Sequence, residues 1–387
     1  MSGILNKIKG DKAIWGIVMS LAVISLLIIF SSTGQLAYKY QDGNTFYYFV
    51  KHLIILGLGF AIIYAVHKVK YSYFSRVSQL LIYISIPLLL ITLFMGDNIN
   101  SANRWLHLPI VNISFQTSDL AKLALISYLA RVLSKKQHKL NSFKDGFLPV
   151  AVPVILVCGL ILKADFSTSF MILGIAILIM VVGRVPWKFI FGLIGAGVLA
   201  LVIFVSVALA FFPGETRVET WKSRLISKYS GEADPDKNYQ ANLSKAAIAN
   251  GGVLGTFFHG ENKYALPHPY SDFVYATIVE DLGMIGGLLV LFLYLFLLYR
   301  AIKIAMKCDN LFGMLLVIGC GLMLVVQALS NIAVAVGIFP VTGQPLPLVS
   351  MGGTSIWFSS IAIGMILSVS NTIEKKEPKP KTSTDVG

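Results

Sequence analysis

Residues 14–31 read IWGIVMSLAVISLLIIFS, an apolar run without a charged side chain. About 20 helical residues, each rising about 1.5 Å, cross the roughly 30 Å hydrocarbon core of a bilayer. Backbone in lipid must satisfy its hydrogen bonds within its own segment, which a helix does and a lone strand does not. The run therefore predicts a transmembrane helix.

Similar runs recur along the chain and decide the fold class. We predict ten spans, at residues 14–31, 53–66, 77–95, 120–133, 147–162, 166–183, 189–212, 284–298, 312–339 and 356–369. The composition, 56% hydrophobic and 13% charged, is typical of chains that contact lipid. The sequence thus predicts an all-α polytopic membrane protein, with one transmembrane domain at 1–371 and a disordered tail at 372–387.

Basic residues gather at one set of alternate span ends. That set comprises Lys7, Lys9, Lys12, Lys68, Lys70, Arg76, Arg131, Lys135, Lys136, Lys139, Lys144, Arg184, Lys188, Arg300, Lys303, Lys307, Lys375, Lys376, Lys379 and Lys381. The connections opposite, at 33–48, 96–117 and 340–350, hold only Lys39 and Arg104. Because cytoplasmic loops are enriched in Lys and Arg, we predict cytoplasmic termini. The large loop at 213–271, between spans seven and eight, is then outside.

The formal net charge of +13 is explained by this insertion pattern and by attraction to membrane lipid. It requires no nucleic-acid partner. The three cysteines, Cys158, Cys308 and Cys320, show no spacing for a disulfide or a zinc site. The sequence therefore leaves the metal content of the protein unknown.

Ionisable residues inside predicted spans are informative, because each costs a few kcal/mol unless it is paired or hydrated. Asp119 and Lys122 are three residues apart and share a helical face, and Asp165 begins another span. Lys122 could pair with Asp119 or with Asp165. We predict a buried charge network of these three residues, pointing inward.

The loop at 213–270 is rich in charge, and loops of this length are functional or disordered. It returns to the membrane through LPHPYSDFVYATIVEDLG at 266–283, which places Asp272, Glu280 and Asp281 close to the membrane surface. Arginine binds phosphate in a fork, and a carboxylate can take a proton from a hydroxyl. The loop suits an anionic, membrane-anchored, phosphate-bearing substrate. Alternatively, its charges only solvate the loop and pair with each other.

Residues 337–355 read GIFPVTGQPLPLVSMGGTS. Proline and glycine at this density end a helix at the membrane surface. Irregular backbone at that depth lines a cavity, although a plain re-entrant turn would have the same pattern.

Six motifs together resemble the SEDS family (shape, elongation, division and sporulation), typified by FtsW and RodA. They are SANRWLHLP at 101–109, QTSDLAKLAL at 116–125, ADFSTS at 164–169, ADPDKNYQ at 233–240, LPHPYSDFVYATIVEDLG at 266–283 and SNIAVAVGIFPVTGQPLPLVSMGGTS at 330–355. The resemblance covers nearly the whole chain. It implies a peptidoglycan glycosyltransferase of the bacterial cytoplasmic membrane that polymerises lipid II into glycan strands at the outer face.

The resemblance also implies site residues. The essential acidic residue of the family maps onto Asp234, with Asp236 as a second candidate because the motif here is one residue shorter than usual. Candidate substrate contacts are Arg104, Trp105, Arg217, Arg224, Gln240, Asp272, Ser350, Gly352 and Gly353. A divalent cation, Mg²⁺ or Mn²⁺, is a candidate cofactor.

The implied partners are a class B penicillin-binding protein and other division proteins. The single transmembrane helix of the penicillin-binding protein is expected to contact the helices around 284–339, where Gly283, Gly286 and Gly287 could permit close packing. The segment QPLPLVSMGGTS favours a division-type, FtsW-like member over an elongation-type one. Two other readings stay open, a lipid II flippase and a scaffold without activity.

Overall fold

The computed structural model describes residues 9–99, 102–108, 113–211, 235–257, 260, 266 and 269–376. Helices dominate these residues. In chain order they are α1 Lys12–Ser32, α2 Gly34–Tyr40, α3 Thr45–Lys68, α4 Tyr71–Met95, α5 Thr117–Lys135, α6 Leu148–Ala164, α7 Phe166–Val182, α8 Trp187–Phe211, α9 Pro235–Gly251, α10 Val274–Met306, α11 Leu311–Ala335 and α12 Gly353–Lys376. A 3₁₀ turn at Gln137–Lys139 and a π-helical turn at Phe143–Phe147 precede α6.

Seven helical segments in the described part of the chain are long and apolar enough to cross a membrane. They are α1, α3, α4, α6 with its preceding π-helical turn, α10, α11 and α12. Two shorter apolar helical segments are α7 itself, Phe166–Val182, and the first part of α8, Trp187–Ile203. The predicted class, a helical polytopic membrane protein, is confirmed. The count of ten spans, the placement of the termini and the placement of the loop stay predictions.

The core of the bundle is built around α11 and α12. In each of them, 72% of the most apolar stretch is buried, against 22% in α3. α11 packs against α5, α7, α10 and α12, and α12 packs closely against α3. Because lipid is as apolar as the side chains that face it, burial here reflects close helix packing rather than exclusion from water. α11 is thus the central support for whatever binds at its ends.

A three-stranded antiparallel sheet lies in the connection at 96–117, for which no strand was predicted. Its strands, β1 Asp97–Ile99, β2 Ala102–Leu108 and β3 Ile113–Gln116, pair in the order β1-β2-β3. Trp105 is opposite Gln116, and the rings of Phe115 and Phe358 lie 5.7 Å apart. The sheet is thereby joined to α12 at the end of the bundle where α5 begins.

Two helix boundaries differ from those predicted. α10 extends from Val274 to Met306 and is broken at Gly283, whose φ of 72° is left-handed, so the predicted span at 284–298 begins at the break. α12 continues to Lys376, past residue 372, where the disordered tail was predicted to start. Glu374 accepts a hydrogen bond from the backbone N–H of Gly10 at 3.1 Å, which helps to order these last turns.

Candidate active site

A buried ion pair lies in the first turns of α5. Nζ of Lys122 is 2.7 Å from Oδ1 of Asp119, and both side chains are 4% exposed. The same ammonium donates to Oε1 of Gln327 on α11 at 3.0 Å. A carboxylate in the first helical turn is also favoured by the helix dipole. Of the two carboxylates that the sequence offered to Lys122, Asp119 is therefore the one placed for a direct ion pair.

Two amide side chains of α11 hold the irregular segment at 337–352. Gln327 donates through Nε2 to the carbonyl of Pro345 at 2.9 Å. Asn331 donates through Nδ2 to the carbonyls of Gln344, at 2.8 Å, and Asp272, at 2.9 Å. Backbone at membrane depth needs such partners, since neither lipid nor a regular helix supplies them. The segment is therefore fixed in one conformation by side chains of the central helix.

Ser350 ties this segment to the end of the large loop. Its hydroxyl donates to the carbonyl of Ser271 at 2.7 Å and accepts from the backbone N–H of Leu346 at 2.8 Å. Met351 donates its N–H to the carbonyl of Tyr270 at 2.8 Å. Ser350 is 1% exposed, and its hydroxyl joins two backbone segments. Its predicted contact with a substrate stays a prediction.

The other predicted substrate contacts near this segment, Gly352, Gly353 and Asp272, are less tightly packed than Ser350. A Cβ on Gly353 would meet nothing within 4 Å, and one on Gly352 would make only ordinary contact with Ser355 at 3.6 Å. Asp272 is half-buried and accepts from the hydroxyl of Ser271 at 3.1 Å. Burial, and then the neighbouring Asp272 carboxylate, raise the pKa of the Tyr270 phenol above its usual value. The phenol therefore stays protonated at neutral pH.

Asp165 caps α7, because its Oδ1 accepts the backbone N–H of Thr168 at 3.1 Å. It is 4% exposed and borders a cavity of about 20 Å³ at the meeting of α4, α5 and α6. That volume accommodates roughly one water molecule. Thr168 also accepts a hydrogen bond from Nε2 of Gln344, so the start of α7 contacts the irregular segment.

Glu280 and Asp281, expected close to the membrane surface, are both 0% exposed. Nδ2 of Asn250 donates to Oε1 of Glu280 at 3.1 Å. The backbone N–H groups of Thr256 and Phe257 donate to the carbonyls of Glu280 and Asp281 at 2.9 and 3.0 Å. Neither carboxylate was predicted to be a site residue. Two adjacent acids at the entrance of an apolar helix were the signal that could have included them.

Glycine allows this contact between the turn after α9 and the break in α10. A Cβ on Gly255 would clash with the carbonyl oxygen of Asp281, and one on Gly283 would clash with that of Val253. Both residues have left-handed φ angles, 86° and 72°, which glycine adopts without steric cost. The two backbones can therefore approach closely enough to exchange hydrogen bonds.

α9 carries the large loop back to the bundle. The hydroxyl of Ser244 donates to the carbonyl of Ala335 at 2.8 Å, and the Lys245 side chain lies against Gly337. Gln240 is half-buried on this helix. Asp234 directly precedes Pro235, the first residue of α9.

Several predicted residues fall outside the described structure. Asp234, Arg217 and Arg224 are among them, and so are the side chains of Arg104 and Asp236. Trp105, on β2, is half-buried. Among the described residues, no group of three His, Cys, Asp or Glu side chains could hold a metal ion. These residues therefore do not form a dedicated cation site.

The chain is similar to known proteins over nearly its full length. The family described as Cell cycle protein, which groups FtsW, RodA and SpoVE, matches residues 11–375. Stage V sporulation protein E of Bacillus subtilis (strain 168) is 32% identical over 375 residues, covering 94% of this chain and 98% of the relative. Probable peptidoglycan glycosyltransferase FtsW of Trichlorobacter lovleyi is 31% identical over 364 residues, covering 91% of each.

Solved structures share the fold. One, from work on the structural coordination of polymerization and crosslinking by a peptidoglycan synthase complex, has a TM-score of 0.75 and 25% identity, covering 94% of this chain and 98% of that one. The rod shape determining protein RodA of Thermus thermophilus has a TM-score of 0.66 and 22% identity, covering 93% and 96%. The chain belongs to the FtsW, RodA and SpoVE family, and is a multi-pass protein of the bacterial inner membrane.

Proposed function

We propose that this protein is a peptidoglycan glycosyltransferase that polymerises lipid II, undecaprenyl-diphosphate-linked disaccharide-peptide, at the outer face of the cytoplasmic membrane. One observation carries the proposal beyond family membership. Four polar features lie at the same end of the bundle and are joined by hydrogen bonds through α11: the middle of α9, the segment at 337–352, the residues at 270–272 and the buried Lys122 network. Polar groups are thus concentrated where a lipid-anchored polar substrate would present its headgroup.

The topology that fits this activity has ten spans, with α5, α7 and α8 added to the seven segments that meet the length and hydropathy criteria. Both termini are cytoplasmic, and the loop that contains α9 is outside. The distribution of Lys and Arg supports this orientation. It places the ends of α9 and α11 on the side where glycan strands are assembled.

Glycosyl transfer from a diphosphate requires removal of a proton and stabilisation of a leaving group. In the proposed reaction, the 4-hydroxyl of the acceptor sugar attacks the anomeric carbon of the donor and loses its proton to the carboxylate of Asp234. The bond from that carbon to the diphosphate breaks as the new glycosidic bond forms. Arg104, Arg217 and Arg224 would neutralise the departing undecaprenyl diphosphate.

Other residues orient the substrate in this proposal. Trp105 offers an apolar face to a sugar ring, and Gln240 and Asp272 offer hydrogen bonds. Gly352 and Gly353 leave room for close approach. A divalent cation, Mg²⁺ or Mn²⁺, is a proposed cofactor, and removal of metal by chelation would test it. The described residues form no dedicated site for it, and none of the steps above depends on it.

A class B penicillin-binding protein is the proposed partner, within a group of other division proteins. The predicted contact through Gly286 and Gly287 is wrong in one respect: both are buried within the chain, against Leu282 and against Val279 and Tyr275. The exposed face of α10 is made of larger apolar side chains, namely Met284, Ile285, Leu288, Leu289, Phe292 and Leu295. We propose this face as the docking surface for the partner's transmembrane helix.

The decisive experiment is polymerisation of labelled lipid II by the purified protein with its partner, read as glycan strand length on a gel. Strands should appear with the parent protein and disappear with Asp234→Asn. Transport of labelled lipid II across liposomes without polymer would support a flippase instead. If neither polymerisation nor transport is seen, but crosslinking by the partner still depends on this chain, the protein is a scaffold. Complementation of division or of elongation mutants would distinguish the two family types.

A further inference from the structure

A polar cavity lies at the opposite end of the bundle from the Lys122 network. Its volume is about 260 Å³, more than ten times the roughly 10 to 15 Å³ that a cavity needs to hold one water molecule. Polar residues from α10, α12 and the start of α1 line it, namely Asp11, Arg300, Lys303, Lys307, Ser370 and Glu374. None of these residues has a role in the proposed glycosyl transfer.

The carboxylates of this cavity have hydrogen-bond partners. Asp11 caps α1 by accepting from the backbone N–H groups of Ala13 and Ile14 at 2.9 and 3.2 Å. It also accepts from Nε of Arg300 at 2.9 Å. Glu374 accepts from the backbone N–H of Gly10. The acidic residues therefore serve to join α1, α10 and α12.

The cations exceed the carboxylates. Arg300, Lys303 and Lys307 follow one another at spacings of three and four residues, so they share one face of α10. Of the two carboxylates that line the cavity, Asp11 accepts from Arg300 and Glu374 accepts from the backbone of Gly10. Both lysines are exposed, and Nζ of Lys303 lies 5.6 Å from the ring centroid of Tyr299. The cavity thus has a positive balance that an anion would neutralise.

The surroundings place this cavity at a membrane–water boundary. Trp15 follows Asp11 by one helical turn, about 6 Å, and Tyr299, which is 53% exposed, adjoins Arg300. Trp and Tyr favour the headgroup level of a bilayer. Ile304 and Ile373 supply apolar wall beside the cations. A ligand bound here would contact cations and hydrocarbon together.

We propose that this cavity binds the phosphate headgroup of an anionic phospholipid of the adjacent leaflet. Basic pockets between transmembrane helices on the cytoplasmic side suit such headgroups. A free phosphate would use the same cations but would gain nothing from the apolar wall or from the position at the interface. The bound lipid would bridge α1, α10 and α12, which Asp11 and Glu374 already connect.

The test is native mass spectrometry of the full-length protein in detergent, titrated with phosphatidylglycerol. Each lysine near an anionic headgroup contributes about fivefold in affinity, so Lys303→Gln with Lys307→Gln should weaken binding about 25-fold. The matched control is Lys135→Gln with Lys139→Gln. It removes the same charge at the same spacing from two exposed lysines outside the cavity, and should leave binding unchanged.

Three results would overturn the proposal. Equal weakening in both double variants would indicate general attraction to surface charge. Binding of zwitterionic phosphatidylcholine with the same affinity would remove the role of the cations. Displacement of phosphatidylglycerol by an equal concentration of soluble glycerol phosphate would identify a site for free anions. Matching elution profiles and melting temperatures of the variants would show that each one is folded.

Discussion

Lys122 on α5 donates to the side chain of Gln327 on α11 at 3.0 Å, while its ammonium is paired with Asp119 at 2.7 Å. The pair is almost fully buried. Removing one partner of a buried pair costs about 3 to 5 kcal/mol, because the other charge is left uncompensated.

Lys122→Met should therefore lower the melting temperature of the detergent-solubilised protein strongly and reduce its yield in the membrane. Changing Asp119 to Leu together with Lys122→Met should restore much of the loss, because both charges are then removed. Lys163→Met is the control, since Lys163 is exposed near the end of α6. A single Lys122→Met variant as stable as the control would contradict the importance of this pair.

The contact between Gly255 and Gly283 predicts a difference between two glycine substitutions in one turn. Gly255→Ala places a side chain on a backbone with left-handed φ, which costs about 1 to 2 kcal/mol. The added Cβ also clashes with the Asp281 carbonyl. Gly252→Ala also places a side chain on a left-handed backbone, with φ of 51°, but the added Cβ meets nothing within 4 Å. Thermal unfolding should show a clearly larger loss for Gly255→Ala. Equal losses would mean that the close approach does not matter.

Asn331 offers a test of the irregular segment. Asn331→Ala removes hydrogen bonds to the carbonyls of Asp272 and Gln344, each worth about 0.5 to 1.5 kcal/mol. We expect reduced polymerisation with insertion retained, since the segment at 337–352 loses one of its anchors. Ser330→Ala is the neighbouring control, because its hydroxyl bonds only within α11, to Val326. Similar strand yields from both variants would show that the anchor is dispensable.

Asp234→Asn keeps the size of the side chain but removes its basicity. Loss of a general base commonly lowers rate by about 10² to 10⁴, so lipid II polymerisation should fall by that factor while insertion and partner binding persist. Asp236→Asn is the comparison. If Asp236→Asn is inactive and Asp234→Asn is not, the base is Asp236. If both variants stay active, the base lies elsewhere or the protein is not the polymerase.

The orientation can be tested with fused reporters. A reporter that is active only outside the cytoplasm should work when inserted near Glu232 and fail near Gln137 or after Glu374. Lys and Arg near the latter two positions should hold them in the cytoplasm. The reverse pattern would overturn the topology, and with it the assignment of the polar network to the outer face.

The sequence by itself determined the fold class, a helical polytopic membrane protein, and the family. Hydropathy is a local property, since twenty neighbouring residues decide whether a segment partitions into lipid, and the motifs at 101–109 and 266–283 can be recognised without knowledge of their contacts. It also indicated that Asp119 and Lys122 share one helical face, because they are three residues apart. It indicated that this face points inward, because a charge that faces lipid is costly.

Only the tertiary structure decided which distant groups meet. Lys122 and Gln327, or Ser350 and Ser271, are far apart in the chain, and nothing local specifies that they pair. The burial of Glu280 depends on the turn at Gly251–Gly255, which the sequence does not place against α10. Likewise, Gly286 and Gly287 could have faced a partner or the interior of the bundle, and in the structure both are buried in the interior. Hydrogen bonds and close backbone contacts between helices are non-local, so they could be read only from the folded chain.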